Sequence, residues 1–437
     1  MVRPILRFGV YLALVSVFLV CIRFFSRSTL SEALNSTLPL PLPHTSVLAH
    51  APGFTLFRNL YLFDGTMYIV LEDGGSLPIQ PLERVLTKVG HMRPGEQRQL
   101  RGDEIRYINM TAAIALFRRL PITLDGSTII LYDTDQFTTH YYHWWAEVIA
   151  GAWRLWSAHC LTSPSDASHP FPSRFLLPNI NGDRWLDPAK LNAPLTIAAF
   201  PWAPVETSTK WELLKSLNKP LILTTVAVLD RGSTNENFKG NMWGKTLGSV
   251  LDLPVGLDHW RTLRERVLKN LVGTIPRRPE IPNVLYISRQ NWGRRSLDTI
   301  SNARLIEGMR ALEQEGVCTF TYAEMDKFTV EKQVALAYNA TVILGVHGNG
   351  LTHQIWMPPT PKSLVLEIFS PQHFAYDFYA TAVTVGHNHF GIWFDEEVDM
   401  NVLSLSYWPN LGPRFHAPDI SVDGTFVANL IRRHLLE

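Results

Sequence analysis

Cysteine is nearly missing from this chain: three residues in 437, too few for a small secreted scaffold stapled by disulfides. Net charge is missing as well, because 40 Lys and Arg face 39 Asp and Glu. That balance leaves no basic footprint for a nucleic acid and no acidic tail, and a hydrophobic share of 46% is far too high for a disordered chain. No repeat of fixed period occurs, and no low-complexity run occurs beyond the prolines near residue 40. Long apolar runs stop after about residue 25, so the remainder has the size and make-up of two domains, or one large α/β unit.

What the N-terminus does contain is an apolar run from Phe8 to Ile22 between Arg7 and Arg23. It falls short of the about 17–25 residues of a spanning helix, but Arg23 can snorkel and let Phe24 and Phe25 count toward the span. No small-x-small site follows the run, so the pattern predicts an uncleaved signal anchor over 8–25 with a cytosolic tail over 1–7. Pro39, Pro41 and Pro43 alternate with leucines and predict an extended stem over 26–53. The body is then exposed to the secretory lumen, where Asn35, Asn109 and Asn339 each open an Asn-x-Ser/Thr acceptor. Cys21 falls in the anchor. Cys160 and Cys318 could pair, although Cys318 sits in a buried-strand pattern and reads better as a core thiol.

Between residues 54 and 257 the predicted elements are short strands, a hairpin turn at Asp64-Gly65, a strand over 127–132, a helix over 141–156 and an irregular stretch over 201–260. From 258 to 437 the pattern changes to strands at 283–288, 317–322, 341–345, 363–369 and 389–394. Helices at 300–315, 329–339, 351–357 and 373–383 alternate with them, which is the signature of a parallel sheet covered by helices.

Five constellations can carry chemistry. In His347-Gly348-Asn349-Gly350-Leu351-Thr352-His353 a strand runs into a glycine-punctuated turn and a helix start, which suits a diphosphate. This turn matches neither the dinucleotide fingerprint nor a Walker loop. Ser288, Arg289, Arg294 and Arg295 leave the carboxyl end of another strand, and guanidinium forks match phosphate oxygens. His143 and Glu147, at i and i+4 on an otherwise apolar Trp-rich helix, form a polar stripe in which one could act as general base and the other orient it. Asp133-x-Asp135 could hold a divalent ion, or merely end a strand. Glu367, at the end of an apolar strand, could accept hydrogen bonds from ribose hydroxyls. His387-x-His389 alternates onto one strand face, yet no cysteine or tight carboxylate cluster accompanies it as a zinc site would require.

In combination these motifs resemble glycosyltransferase family 61. His347-Gly-Asn-Gly-Leu-Thr-His353 is similar to that family's His-Gly-Ala-Gly-Leu-Thr-Asn/His, Tyr141-Tyr-His-Trp-Trp-Ala-Glu147 to its Tyr-His-Trp helix, and Ser288-Arg289 with a trailing Arg to its Ser-Arg loop. Two departures stand out: Asn349 replaces a small Ala, and Thr139-His140 stands where an Asn often precedes the Tyr-Tyr-His. The resemblance implies an α/β, GT-B-like enzyme with two Rossmann-type lobes facing a cleft, an acceptor-side lobe over 54–257 and a nucleotide-sugar-binding lobe over 258–437. It implies a single-pass type II membrane protein of the Golgi or endoplasmic reticulum that transfers xylose, GlcNAc or arabinose from a UDP-sugar to a glycan or glycoprotein with inversion. His143 and Glu147 would then be catalytic. Ser288, Arg289, Arg294, Arg295, residues 347–352 and Glu367 would bind the donor, and no cofactor would be required. The alternatives are a metal-dependent transferase using Asp133 and Asp135, and a luminal carbohydrate-binding relative without catalysis.

Overall fold

The computed structural model describes residues 42–91, 99–163 and 171–437. The predicted anchor, the first part of the stem and Asn35 lie outside the described residues. Among the described residues no helix is long and apolar enough to cross a membrane. The chain divides into the units Met1–Pro43 and His44–Glu437, and the elements below belong to the second.

Its first sheet contains β1 (Ser46–Ala51), β2 (Phe54–Phe63), β3 (Thr66–Leu71), β4 (Ile105–Asn109), β5 (Ile122–Leu131), β6 (Arg174–Leu176), β7 (Val205–Glu206) and β8 (Leu221–Leu229). Strand β1 falls within the segment expected to be an extended stem. It is a strand instead because β2 offers an open edge, and the two pair antiparallel from Ser46↔Arg58 to Ala51↔Phe54. The β2–β3 hairpin turns at Asp64 and Gly65 with φ of 50° and 79°, the left-handed pair that an Asp-Gly turn supplies cheaply. The sheet order β4-β3-β2-β8-β5-β6-β7 mixes parallel and antiparallel neighbours, so this lobe is not the purely parallel layer of a Rossmann unit. The stretch expected to be irregular supplies β8 at the sheet's centre, its two neighbours hiding the Ile/Val/Leu run from water.

The second sheet contains β9 (Asn283–Ile287), β10 (Thr319–Ala323), β11 (Val342–Val346), β12 (Leu364–Ile368), β13 (Asn388–Trp393) and β14 (Glu396–Val398), in the order β10-β9-β11-β12-β13-β14. All but β14 run parallel. The alternating pattern of the sequence is realised nearly as expected. Asp298 caps the helix Thr299–Gln314 and Thr329 caps Val330–Asn339, each accepting a backbone N–H three residues on. Two mixed α/β layers of this kind fit a GT-B-like fold.

Between the layers runs the Trp-rich helix, which departs from expectation in its winding: Tyr142–Ile149 is a π-helical segment continuing as α-helix over Ala150–Thr162. From Trp144 to His159 every residue is buried, as a helix apolar on all faces requires. Trp144, Trp145 and Trp156 join a core that also takes in Leu285, Ile287 and Trp356 from the other layer. Among the described residues Cys160 and Cys318 form no disulfide with each other, and burial pushes the Cys318 thiol up to about 11.

Candidate active site

The π-helical segment carries His143 and Glu147 toward β8. Glu147 is wholly enclosed, and its oxygens are fully engaged: Oε2 accepts from His143 Nδ1 at 2.5 Å and Arg231 Nη1 at 2.6 Å, Oε1 from the Thr246 amide at 3.2 Å. Arg231, just beyond β8, also donates to Thr246 Oγ1 at 2.6 Å, and its guanidinium lies 4.7 Å from the Phe137 ring. Burial by itself would raise Glu147, but Arg231 and then His143 hold it well below the usual carboxylate range. Facing an ionised carboxylate, His143 Nδ1 carries the proton and Nε2 the lone pair. Burial, against the pull of Glu147, lowers the affinity of His143 for a second proton. Nε2 makes no hydrogen bond among the described residues and is not enclosed.

On the other layer the strand order reverses direction between β9 and β11, the position at which open α/β sheets leave a ligand crevice outside their carboxyl ends. The loops after those two strands are the arginine loop and the glycine turn. They touch: a Cβ on Gly348 would stand 2.3 Å from Arg289 Nη1 and 2.6 Å from its Cζ, so only glycine lets the guanidinium lie on the turn. Gly350 is equally constrained, since a Cβ there would meet Ile287 Cγ2 at 2.7 Å. Among the described residues no carboxylate forms an ion pair with Arg289, Arg294 or Arg295. Burial, then repulsion from Arg295 and Arg294, brings Arg289 down to about 10. The Nε atoms of Arg289 and Arg295 are enclosed and have no hydrogen-bond partner among the described residues. Such an arrangement of cations asks for a polyanion.

The two groups converge. Phe378 packs its ring 5.4 Å from Tyr142, next to His143, and 5.2 Å from His347. Tyr142 donates its hydroxyl to the Asp377 carbonyl at 3.2 Å and its amide to Asn349 Oδ1 at 3.1 Å. Lys245 closes the ring through a 2.7 Å ion pair with Asp377. Burial would raise Asp377, yet Lys245, His347 and His143 together lower it.

Several expected site residues stand elsewhere. Glu367 is fully buried with both oxygens taken, Oε1 by His347 Nδ1 and Oε2 by His389 Nε2 at 2.9 Å, so it has no oxygen left for a ribose. Leu351 and Thr352 point into the interior because their helix must bury that face, and the Leu351 amide is spent on the Gly348 carbonyl. Ser288 is buried and accepts from the Tyr322 hydroxyl at 2.9 Å. Asn349 is half-buried and spends its Oδ1 on the opposing helix. Asp133 accepts from the Arg231 amide at 2.8 Å, whereas Asp135 pairs with Arg184, so the two carboxylates diverge. His387 bonds Ser363 and the Gln354 carbonyl, away from His389. No group of three or more His, Cys, Asp or Glu is placed to hold a metal among the described residues. Asn109 is exposed, and Asn339 is half-buried with Oδ1 enclosed.

Sequence reasoning missed Arg231, Thr246, Lys245 and Asp377, and gave His389 no role beside Glu367. A lone basic residue in an irregular stretch carries no periodic signal. The His387-x-His389 pair was visible only as a weak metal pattern. A family model described as Glycosyltransferase 61 matches residues 141–365, just over half the chain, beginning at the His143 helix and taking in both loops of the crevice. No curated protein matches the chain.

Proposed function

Because this chain belongs to glycosyltransferase family 61, we propose that it transfers a sugar from a UDP-sugar to a hydroxyl of a glycan or glycoprotein, inverting the anomeric centre. Residues 8–25 would tether it in a Golgi or endoplasmic reticulum membrane with the catalytic body in the lumen. The observation carrying this reading is one arrangement: the Arg231–Glu147–His143 chain, ending in an imidazole nitrogen that makes no hydrogen bond among the described residues, across from three arginines that form no ion pair with a described carboxylate.

His143 Nε2 takes the acceptor hydroxyl proton as the new bond from that oxygen to the anomeric carbon forms. The bond from the anomeric carbon to the β-phosphate oxygen breaks on the opposite face, and its electron pair leaves with the diphosphate. Glu147 orients the imidazole and offsets the charge His143 acquires, so it is a positioning residue and not the base. Arg289, Arg294, Arg295 and the amides at the start of the 349–356 helix receive the diphosphate charge. These cations do the work a divalent ion would otherwise do, and Asp133 and Asp135 are committed to arginines.

A screen of the protein against UDP-xylose, UDP-GlcNAc and UDP-arabinose, reading donor hydrolysis and transfer, tests the reading. Turnover of one of them, lowered by about 10²–10⁴-fold in His143→Ala and undiminished by EDTA, is expected. Full turnover in His143→Ala would refute the base, loss under EDTA the metal-free account, and calorimetry without heat from UDP the donor itself.

A further inference from the structure

The carboxylate on β12 has no place in the transfer just described, yet the fold builds a compartment for it. In register across the sheet, Glu367 lies between Gly345 on β11 and Gly391 on β13, where Leu351 and Met400 pack close to the two glycines. Two residues on from Gly345 along β11, and two before Gly391 along β13, His347 and His389 share that face. Both oxygens of Glu367 are spent on these two rings. His347 is held between Phe369, Phe378 and Phe415, with centroids 5.5, 5.2 and 4.8 Å away. Its Nε2 makes no hydrogen bond among the described residues and is not enclosed.

We infer that Glu367 is a protonated carboxylic acid which, backed by His389, fixes His347 as a neutral imidazole presenting Nε2–H to the diphosphate in the crevice. The inference rests on the donor assignment above and deepens it.

The proton positions follow from satisfiability. His389 Nδ1 is enclosed without a partner. A proton there would be a buried, unpaired N–H, so His389 is neutral and carries its proton on Nε2, donating to Glu367 Oε2. An ionised Glu367 would then be an enclosed anion with no ion pair to a Lys or Arg among the described residues. Holding its proton instead, Oε1–H donates to His347 Nδ1, which leaves the His347 proton on Nε2. The whole chain, His389 Nε2–H to Oε2, then Oε1–H to His347 Nδ1, then Nε2–H outward, is uncharged and satisfied at each link. Burial, then Asp377, raises Glu367 well above the carboxylate range against Lys245 and Arg295. Around His347 stand Asp377, Arg295, Lys245 and Arg289, and burial lowers it to about 3. A neutral donor adds a hydrogen bond to the anion without adding a cation to a crowd already repelling itself.

Glutamine at position 367 reproduces this pattern, donating from its amide to His347 and accepting from His389; alanine does not. The test uses the full chain in two arms. Long-range proton–nitrogen correlation on ¹⁵N-histidine-labelled protein, assigned with His347→Gln and His389→Gln, reads tautomers without ligand, and both rings are expected as Nε2–H. Calorimetry with UDP is expected to give Glu367→Gln an affinity within about threefold of the parent. Glu367→Ala and His347→Ala should weaken binding by about 10- to 100-fold, as loss of a hydrogen bond to a charged group does. His347 found as Nδ1–H or as imidazolium, or Glu367→Gln losing as much as Glu367→Ala, overturns the inference. Absence of UDP binding in the parent defeats the donor assignment, while the tautomers still decide the proton positions.

Discussion

At position 143 a single ring decides the direction of proton flow. Glu147 pins one nitrogen, and the buried Arg231 pins Glu147. Replacing His143 with alanine is expected to lower kcat by about 10²–10⁴-fold with the donor KM little changed, as measured by initial rates. The pH profile has a definite sign. Burial lowers His143 from its ordinary 6.5, so the base stays unprotonated at mildly acidic pH. The acid limb of kcat/KM is then expected below the range of an ordinary histidine, and a limb at or above 6.5 would contradict it. Arg231→Gln removes the arginine paired with the enclosed Glu147 carboxylate and is expected to destabilise the protein by about 3–5 kcal/mol in urea unfolding.

At the scale of elements, the strand ends after β9 and β11 do the binding, and their contact hinges on one missing side chain. Gly348 has φ of 160°, extended backbone that alanine adopts freely. Any effect of Gly348→Ala therefore comes from the methyl displacing Arg289. A loss of UDP affinity of tenfold or more with a melting temperature unchanged within about 2 °C is expected, read by calorimetry and thermal melts. Asn349 shows why this turn differs from a plain β-α connection. Its side chain caps the Tyr142 amide on the opposing helix and so couples the two strand-end loops to the base. Asn349→Ala leaves that amide without an acceptor, and a destabilisation of about 1–3 kcal/mol is expected in denaturant titration.

Over the molecule as a whole, the histidines crowded into the last third are a pH liability. Burial first of all lowers His347 and His389 to about 3 and His353 and His387 to about 4, from 6.5 in the unfolded chain. Below pH 6.5 the unfolded chain takes up protons that the fold refuses, so stability is present above 6.5 and is lost as pH falls toward those values. Each contributes up to about 1.4 kcal/mol per pH unit; His50, His140 and His143 act in the same direction, while Glu367, Asp133 and Asp230, whose carboxyls burial raises, oppose them. A melting temperature that drops steadily between pH 6.5 and 5 is expected from thermal scans, and a flat curve would contradict neutral burial.

How much of this could be read from residues in order depends on whether the information is local. The C-terminal alternation of strands and helices, the Thr329 cap, the Asp64-Gly65 turn, the family membership and the pairing of His143 with Glu147 all reside in spacings of a few residues, which backbone geometry translates directly. The strand order could not be read that way, because it follows from which hydrophobic faces find one another. Nor could the mixed pairing around β8, for the same reason. Arg231, Lys245, Asp377 and His389 are bound to their partners across long stretches of chain, and only the packed interior, where a buried charge or imidazole must find a partner, assigns them a role. Glu367 shows the division plainly. Its place in an apolar strand was legible as a carboxylate with a purpose, whereas its engagement by two imidazoles, and not by a ribose, was decided by the sheet register that puts His347 and His389 on its face.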